Sequence, residues 1–523
     1  MRFTKIPAIT VLSSLTMAAM AAADMAYPPD VAAVLDSAGG NRGQLEQVIG
    51  HYRNDPDTLK LTAAYYLVGN MEGHSYVRYK LCDSTGNKVE FSVFDYPDYD
   101  SLQTASAALE QIHGTLDFKR DTLIEDCRVV TAEFLIDQID YAFKAWREKP
   151  WAKALSFEQF CQYVLPYRGS NEPLEPWRET MWDRYASLQD RMGDSTDPIE
   201  AAALINDDVK TWFGFDPRFY YHPTDQGLSE MTANGLGRCE DMTNVTIYAM
   251  RANGIAVTSD YTPHWANTGN NHAWNAVVKP DGTVMPFMGA EANPGKYRLA
   301  NKLAKVYRKT FGKQPDNLIF RDRKQEKVPG WLAGKNYVDV TADYVPVQDL
   351  AVALDRTPDS VDIVYICVFN SGEWRAMDWA TIEIDTTVFT DIGRDIAYLP
   401  ALYLNEKIVP AAAARILHGD GTVEVLVADT RDPISVRLAS TTARKQTAST
   451  DGIQQTYLTP GKEYELFYWS DGWQSVGTRT ADDGPLVFDG VPGGALYWLV
   501  AEGSDHEERI FTLDQSTGEQ VWW

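Results

Sequence analysis

Residues 235–257 read GLGRCEDMTNVTIYAMRANGIAV. Two glycines precede Cys239, after which Met242, Val245, Ala249 and Ala252 recur at helical spacing. Gly254 then supplies a stop before the β-type run Ile255-Ala256-Val257. This pattern predicts a buried helix that starts at or near Cys239. The helix dipole and the unpaired N–H groups of the first turn favour an anion there. An ordinary cysteine is only a few per cent thiolate at neutral pH, and such a placement raises that fraction. The same N–H groups are candidates for part of an oxyanion hole. Glu240 and Asp241 oppose ionisation of the thiol, although they complement the helix dipole.

A thiolate needs an imidazole partner, and NHAWNAVVK supplies one: His272 opens a strand-like run that turns at Pro280-Asp281-Gly282 and returns as TVMPFMGAE. A two-residue loop at Asp281-Gly282 places His272 opposite Glu291, whereas a three- or four-residue loop places it opposite Ala290 or Gly289. Glu291 is the acid expected to orient the imidazole. Asp281 sits in a turn where Asp-Gly has a sufficient conformational reason. Between the two motifs, His264 and Trp265 are candidates for the substrate cleft. Upstream, Gln226 is a candidate donor to an oxyanion. Asn244-Val245-Thr246 fits a glycosylation sequon but falls inside the predicted helix, which argues against its use.

The order of GxC at a helix start, RANGI before a strand, then HAWN and a hairpin resembles the transglutaminase-like cysteine superfamily over roughly residues 200–310. Segments such as LKLTAAYYLVGNM and YELFYWSDGWQSVG are similar to those of large exported transglutaminase-domain proteins of Gram-negative bacteria. The resemblance implies a papain-like core with a Cys, His, Asp triad, in which Cys239 matches the nucleophile and His272 the base. The third position departs from the pattern: the stretch is PFMGAE, Met288 falls near the Asp slot and Glu291 is the nearest acid.

The 523 residues are too many for one core, and 44% hydrophobic and 12% aromatic content argues for packed domains. The expected fold class is α+β: a helical region at 24–200, a papain-like core at 201–345, a β-sandwich-like module at 346–440 and a second β-rich module at 441–523. Helices are expected around Leu45–Ile49 and Leu59–Val68, across 131–148, and from a Ser156 cap to Pro166, with Cys161 a core residue. The 430–433 and 440–452 stretches read as loops or linkers. A net charge of −25 disfavours nucleic acid and anionic lipid as partners, which require clustered Lys and Arg.

Arg2 and Lys5, an apolar Ile9–Met20 run and Ala21-Ala22-Ala23 read as a cleavable export signal over residues 1–23. The mature chain is therefore expected to be periplasmic or secreted, with no transmembrane span. Five cysteines leave at least one thiol free, and Cys82 with Cys127 is one conceivable pair. No HExxH or CxxC occurs, so no metal or cofactor is expected. The expected function is attack on peptide-linked amides of a peptide, protein or glycopeptide through a thioacyl intermediate, ending in hydrolysis or acyl transfer. Deglycosylation of the peptide N-glycanase kind is one variant within that class. The rival is a cell-envelope binding or scaffold protein that has lost catalysis.

Overall fold

The computed structural model describes residues 27–321, 323–324, 327–443, 457–504 and 507–523. The signal-like residues 1–23 and most of the polar 440–452 stretch lie outside these.

The N-terminal region begins with helices Pro29–Ser37, Arg42–Tyr52 and Thr58–Gly69. Helix Ala132–Glu148 starts at Thr131, whose hydroxyl accepts from the Phe134 N–H, and buries Leu135, Ile139, Ala142 and Phe143. Helix Phe157–Tyr163 opens on a reciprocal Ser156–Gln159 capping box. These stripes, together with the helix that begins at Cys239, form one continuous buried cluster from Val31 to Phe311. The region is not helical throughout. Ser75–Cys82 and Asp117–Glu125 pair as an antiparallel ribbon. Ser75–Cys82 is mostly half-buried with a short alternation at Val77, Tyr79 and Leu81, whereas Asp117–Glu125 is largely exposed and lacks the apolar alternation that marks a strand in sequence.

The central sheet has five antiparallel strands in the order Val284–Phe287, His272–Val278, Val257–Thr262, Tyr307–Lys309 and Tyr337–Asp339. Helix Cys239–Ala252 packs against the strands Val257–Thr262 and His272–Val278. The α+β architecture is completed by two β-sandwich-like modules. In the first, the paired strands Val347–Ala353 and Thr386–Gly393 cover a six-stranded sheet built on Ile363–Asn370 and Ile396–Leu404. In the second, Asp429–Leu438 and Leu486–Gly493 cover a five-stranded sheet built on Glu463–Trp469 and Tyr497–Ala501. Thr430–Pro433, expected as a loop, lies inside strand Asp429–Leu438. The register shifts between Asp429 and Pro433, which accommodates a proline that cannot donate to the ladder. All five cysteines are buried free thiols, so Cys82 and Cys127 are not bridged. No helix among the described residues is long and apolar enough to cross a membrane.

A buried ion pair ties the exposed ribbon to the core. The Arg168 guanidinium donates to both carboxylate oxygens of Asp126, at 2.6 and 2.5 Å, and the Tyr167 hydroxyl donates to the same carboxylate at 2.9 Å. Asp126→Ala leaves the Arg168 charge buried without its partner, so it is expected to cost about 3–5 kcal/mol, seen as a lower urea midpoint. An unchanged midpoint would show that water replaces the carboxylate freely.

Candidate active site

The loop before Cys239 is shaped by its two glycines. Helix Leu228–Asn234 ends on Gly235 at φ 70°, where a Cβ would lie 2.8 Å from the Trp212 carbonyl oxygen. A Cβ on Gly237 would meet the Asp241 Cβ at 2.5 Å and the Phe213 ring at 2.8 Å. The chain then enters helix Cys239–Ala252 with Cys239 as its first residue and Arg238 as N-cap. The fully buried Asp241 carboxylate locks this start. It accepts from the Gln226 backbone N–H at 2.8 Å, the Gln226 amide at 3.0 Å and the Arg238 N–H at 3.0 Å. Gln226 gives its other contacts to Leu236 and Asn234, so its amide serves the helix cap and is not free to serve an oxyanion.

The Cys239 thiol is 6% exposed and donates to Glu240 Oε2 at 3.0 Å. Burial, then the charge and hydrogen bond of Glu240, push this thiol well above the ordinary cysteine range. The Ala273 N–H directed at the sulfur and the Arg238 charge offset this only in part. Burial beside the Glu240 carboxylate thus opposes the thiolate that the helix position favours.

His272 immediately precedes the residue whose N–H faces the sulfur, and the Glu240 carboxylate that accepts from the thiol also acts on its imidazole. Its Nε2 is hydrogen-bonded to the Tyr297 hydroxyl at 2.5 Å. Trp265 stacks on it with ring centroids 5.7 Å apart, and Trp274 lies against it at 5.8 Å. Burial among these rings lowers the His272 pKa, with Glu240 partly opposing, so the imidazole is neutral at neutral pH.

The hairpin after His272 has a three-residue loop, with Val278 opposite Val284 and the Lys279 N–H donating to the Thr283 carbonyl. Extending that register sets His272 across from Ala290, one of the three alternatives. The ladder stops at Asn275–Phe287, however, and the chain folds back through a Met288–Ala292 bridge with Ala290 at φ 57°. Glu291 is exposed on this turn. Its charge acts on Tyr297, whose hydroxyl is held well above the usual range first by burial, then by Glu291 and Cys239. Tyr297 therefore touches the imidazole and lies within reach of both Glu291 and the sulfur. No periodic signal marked it, because it arrives from a loop 25 residues downstream of His272.

Beside Glu240 lies a cleft of about 500 Å³ whose walls include Tyr220, Arg238, Glu240, Asn271, Lys309 and Trp331. Tyr220, also absent from the sequence reading, feels the Cys239 and Glu240 charges after burial, which together raise its pKa to about 12. His264 faces a second cavity and Trp265 the imidazole. Asn244 is fully buried, which closes its sequon to modification of the folded chain.

Because Glu240 holds the thiol proton, Glu240→Gln is expected to lower the apparent pKa of Cys239. Iodoacetamide alkylation of Cys239 in the unaltered protein should then accelerate mainly above the ordinary cysteine range, and in the variant at lower pH. Coincident rate–pH curves would show that Glu240 does not control the sulfur.

No curated protein matches the chain. Residues 186–287, which include both Cys239 and His272, match the model of the transglutaminase-like superfamily, so the chain carries a transglutaminase-like domain, typically a cysteine-enzyme fold that in coarse terms suggests acyl transfer or hydrolysis.

Proposed function

We propose that the protein is a cysteine-dependent enzyme that attacks a peptide-linked amide with Cys239, using His272 as base and Tyr297 to orient the imidazole. The reading is carried by one observation: a sulfur at the first residue of a helix, faced by the N–H next to His272, whose ring is fixed by Tyr297 and Trp265.

The thiol and the imidazole are both neutral at rest, so proton removal accompanies attack rather than preceding it. His272 takes the Sγ proton as the sulfur adds to the amide carbon. The oxyanion that develops lies beside backbone N–H groups of the first helical turn, which have no intrahelical acceptor. The imidazolium then protonates the departing amine, the C–N bond breaks and a thioacyl intermediate remains. Water, deprotonated by His272, adds to that carbon and releases the carboxylic acid and the thiol; an amine in its place gives acyl transfer. The amino-terminal pattern of Arg2, Lys5 and Ala21-Ala22-Ala23 supports a periplasmic or secreted setting for this activity.

A second reading, a binding or scaffold protein without turnover, draws on the Cys239–Glu240 hydrogen bond, which keeps the sulfur protonated. A panel of peptides and glycopeptides separates the two. Cys239→Ala should abolish cleavage, and His272→Ala should lower kcat by about 10²–10⁴-fold. Tyr297→Phe should cost about tenfold, in kcat rather than KM, since one hydrogen bond is lost; Glu291→Gln should cost less. Turnover that persists in Cys239→Ala would end the enzymatic reading at this site.

A further inference from the structure

The second cavity, about 620 Å³, opens where the core meets both β-modules. Two hairpin tips build it. In the first module, Asn370 pairs with Glu373 across Ser371-Gly372, and Trp374 follows. In the second, Trp469 pairs with Trp473 across Ser470-Asp471-Gly472. The rings meet edge to face, Trp374 to Trp469 at 5.5 Å and Trp469 to Trp473 at 5.0 Å. From the core comes Trp331, whose ring is 41% exposed and lines both this cavity and the cleft beside Glu240.

Simple core packing accounts for the buried indole faces but not for the polar chemistry in the same wall. The Nε1–H groups of Trp374 and Trp473 are buried and have no acceptor among the described residues. Buried donors are rarely left so, because the desolvation cost is then uncompensated. Around them stand Glu373, Arg375, Glu406 and Lys407, with Glu373 paired to Arg375 at 3.2 Å and Glu406 paired to Lys327. His264 completes the wall, and burial, then the Arg375 charge, lowers its pKa to about 4, so it adds no charge at neutral pH. A wholly apolar ligand would leave the indole donors and charged side chains unanswered, and an anionic one would meet Arg375 and Lys327 already paired with Glu373 and Glu406. A ligand with apolar C–H faces for the rings and hydroxyls for the donors and carboxylates answers both.

We propose that this cavity is a binding site for a neutral saccharide. The sugar face lies on Trp331, with its hydroxyls accepting from indole and guanidinium N–H groups and donating to Glu373 and Glu406. The site stands independently of any chemistry at Cys239. If that chemistry is as proposed, the shared Trp331 wall makes a sugar-bearing peptide the substrate class that spans both cavities.

Titration calorimetry on the intact protein with chitotetraose, cellotetraose and maltotetraose tests this. Saturable binding of at least one tetrasaccharide is expected, weakened by about tenfold or more in Trp331→Ala and in Arg375→Ala. It should be largely kept in Trp331→Phe, which retains a stacking ring, and unchanged in Cys239→Ala, which separates this site from the reading of the reactive centre. Matching thermal melts for the variants would tie the loss to the cavity. No binding of any of the three, binding indifferent to both alanine substitutions, or Trp331-dependent binding of an apolar dipeptide amide in place of the sugars would overturn the proposal.

Discussion

The geometry of the site depends on one buried carboxylate. Asp241 accepts three N–H donors at the start of helix Cys239–Ala252, two from Gln226 and one from Arg238. A buried acid that accepts fewer bonds would be costly, so the loop carrying Gln226, the N-cap and the first helical turn are held as one unit. Cys239 is the first residue of that turn, and its position is therefore set by hydrogen bonds on the side of the helix away from the reacting atoms. The glycines before it follow from the same constraint, since Gly237 leaves the space that the Asp241 side chain fills.

The second half of the site is fixed by packing. His272 heads a strand whose interior residues Trp274, Val277 and Val278 are buried in the same core as the helix. Strand and helix cannot slide past one another without opening that core, since close-packed interiors do not deform continuously. The imidazole is then trimmed by Trp265 and Tyr297, both from loops. The result is a neutral pair, a thiol raised by burial and Glu240 and an imidazole lowered by burial. On the proposed mechanism such a pair is quiet until a substrate carbonyl arrives.

The elements that bring Cys239 and His272 together were legible in the sequence because each is a long, strongly periodic segment. Helical spacing from Met242 to Ala252, a glycine stop and a β-type run on either side leave few alternatives. The Ser156 cap was readable because its side chain acts locally. What was not readable is what long-range packing decides. The ribbon strand Asp117–Glu125 is largely exposed, so it carries no apolar alternation. Thr430–Pro433 has turn composition yet is absorbed into a strand by a register shift. Gln226 looked like a spare donor, and only the fold shows its amide spent on Asp241. Glu291 was read from an idealised hairpin, but the ladder ends three residues short of His272, and a loop brings Tyr297 to the ring instead. The ionisation of Cys239 was misjudged because a dipole is visible in a helix pattern, whereas the orientation of the neighbouring Glu240 side chain is not.

The central claim is that Cys239 and His272 form one reactive pair. Intact-protein and peptide mass spectrometry after exposure to a peptidyl chloromethyl ketone tests it most directly. The account predicts a single adduct on Cys239, formed far more slowly in His272→Ala, with Cys82, Cys127, Cys161 and Cys367 unlabelled in the folded protein. Labelling spread over the five thiols, or a Cys239 adduct formed equally fast without the imidazole, would contradict it.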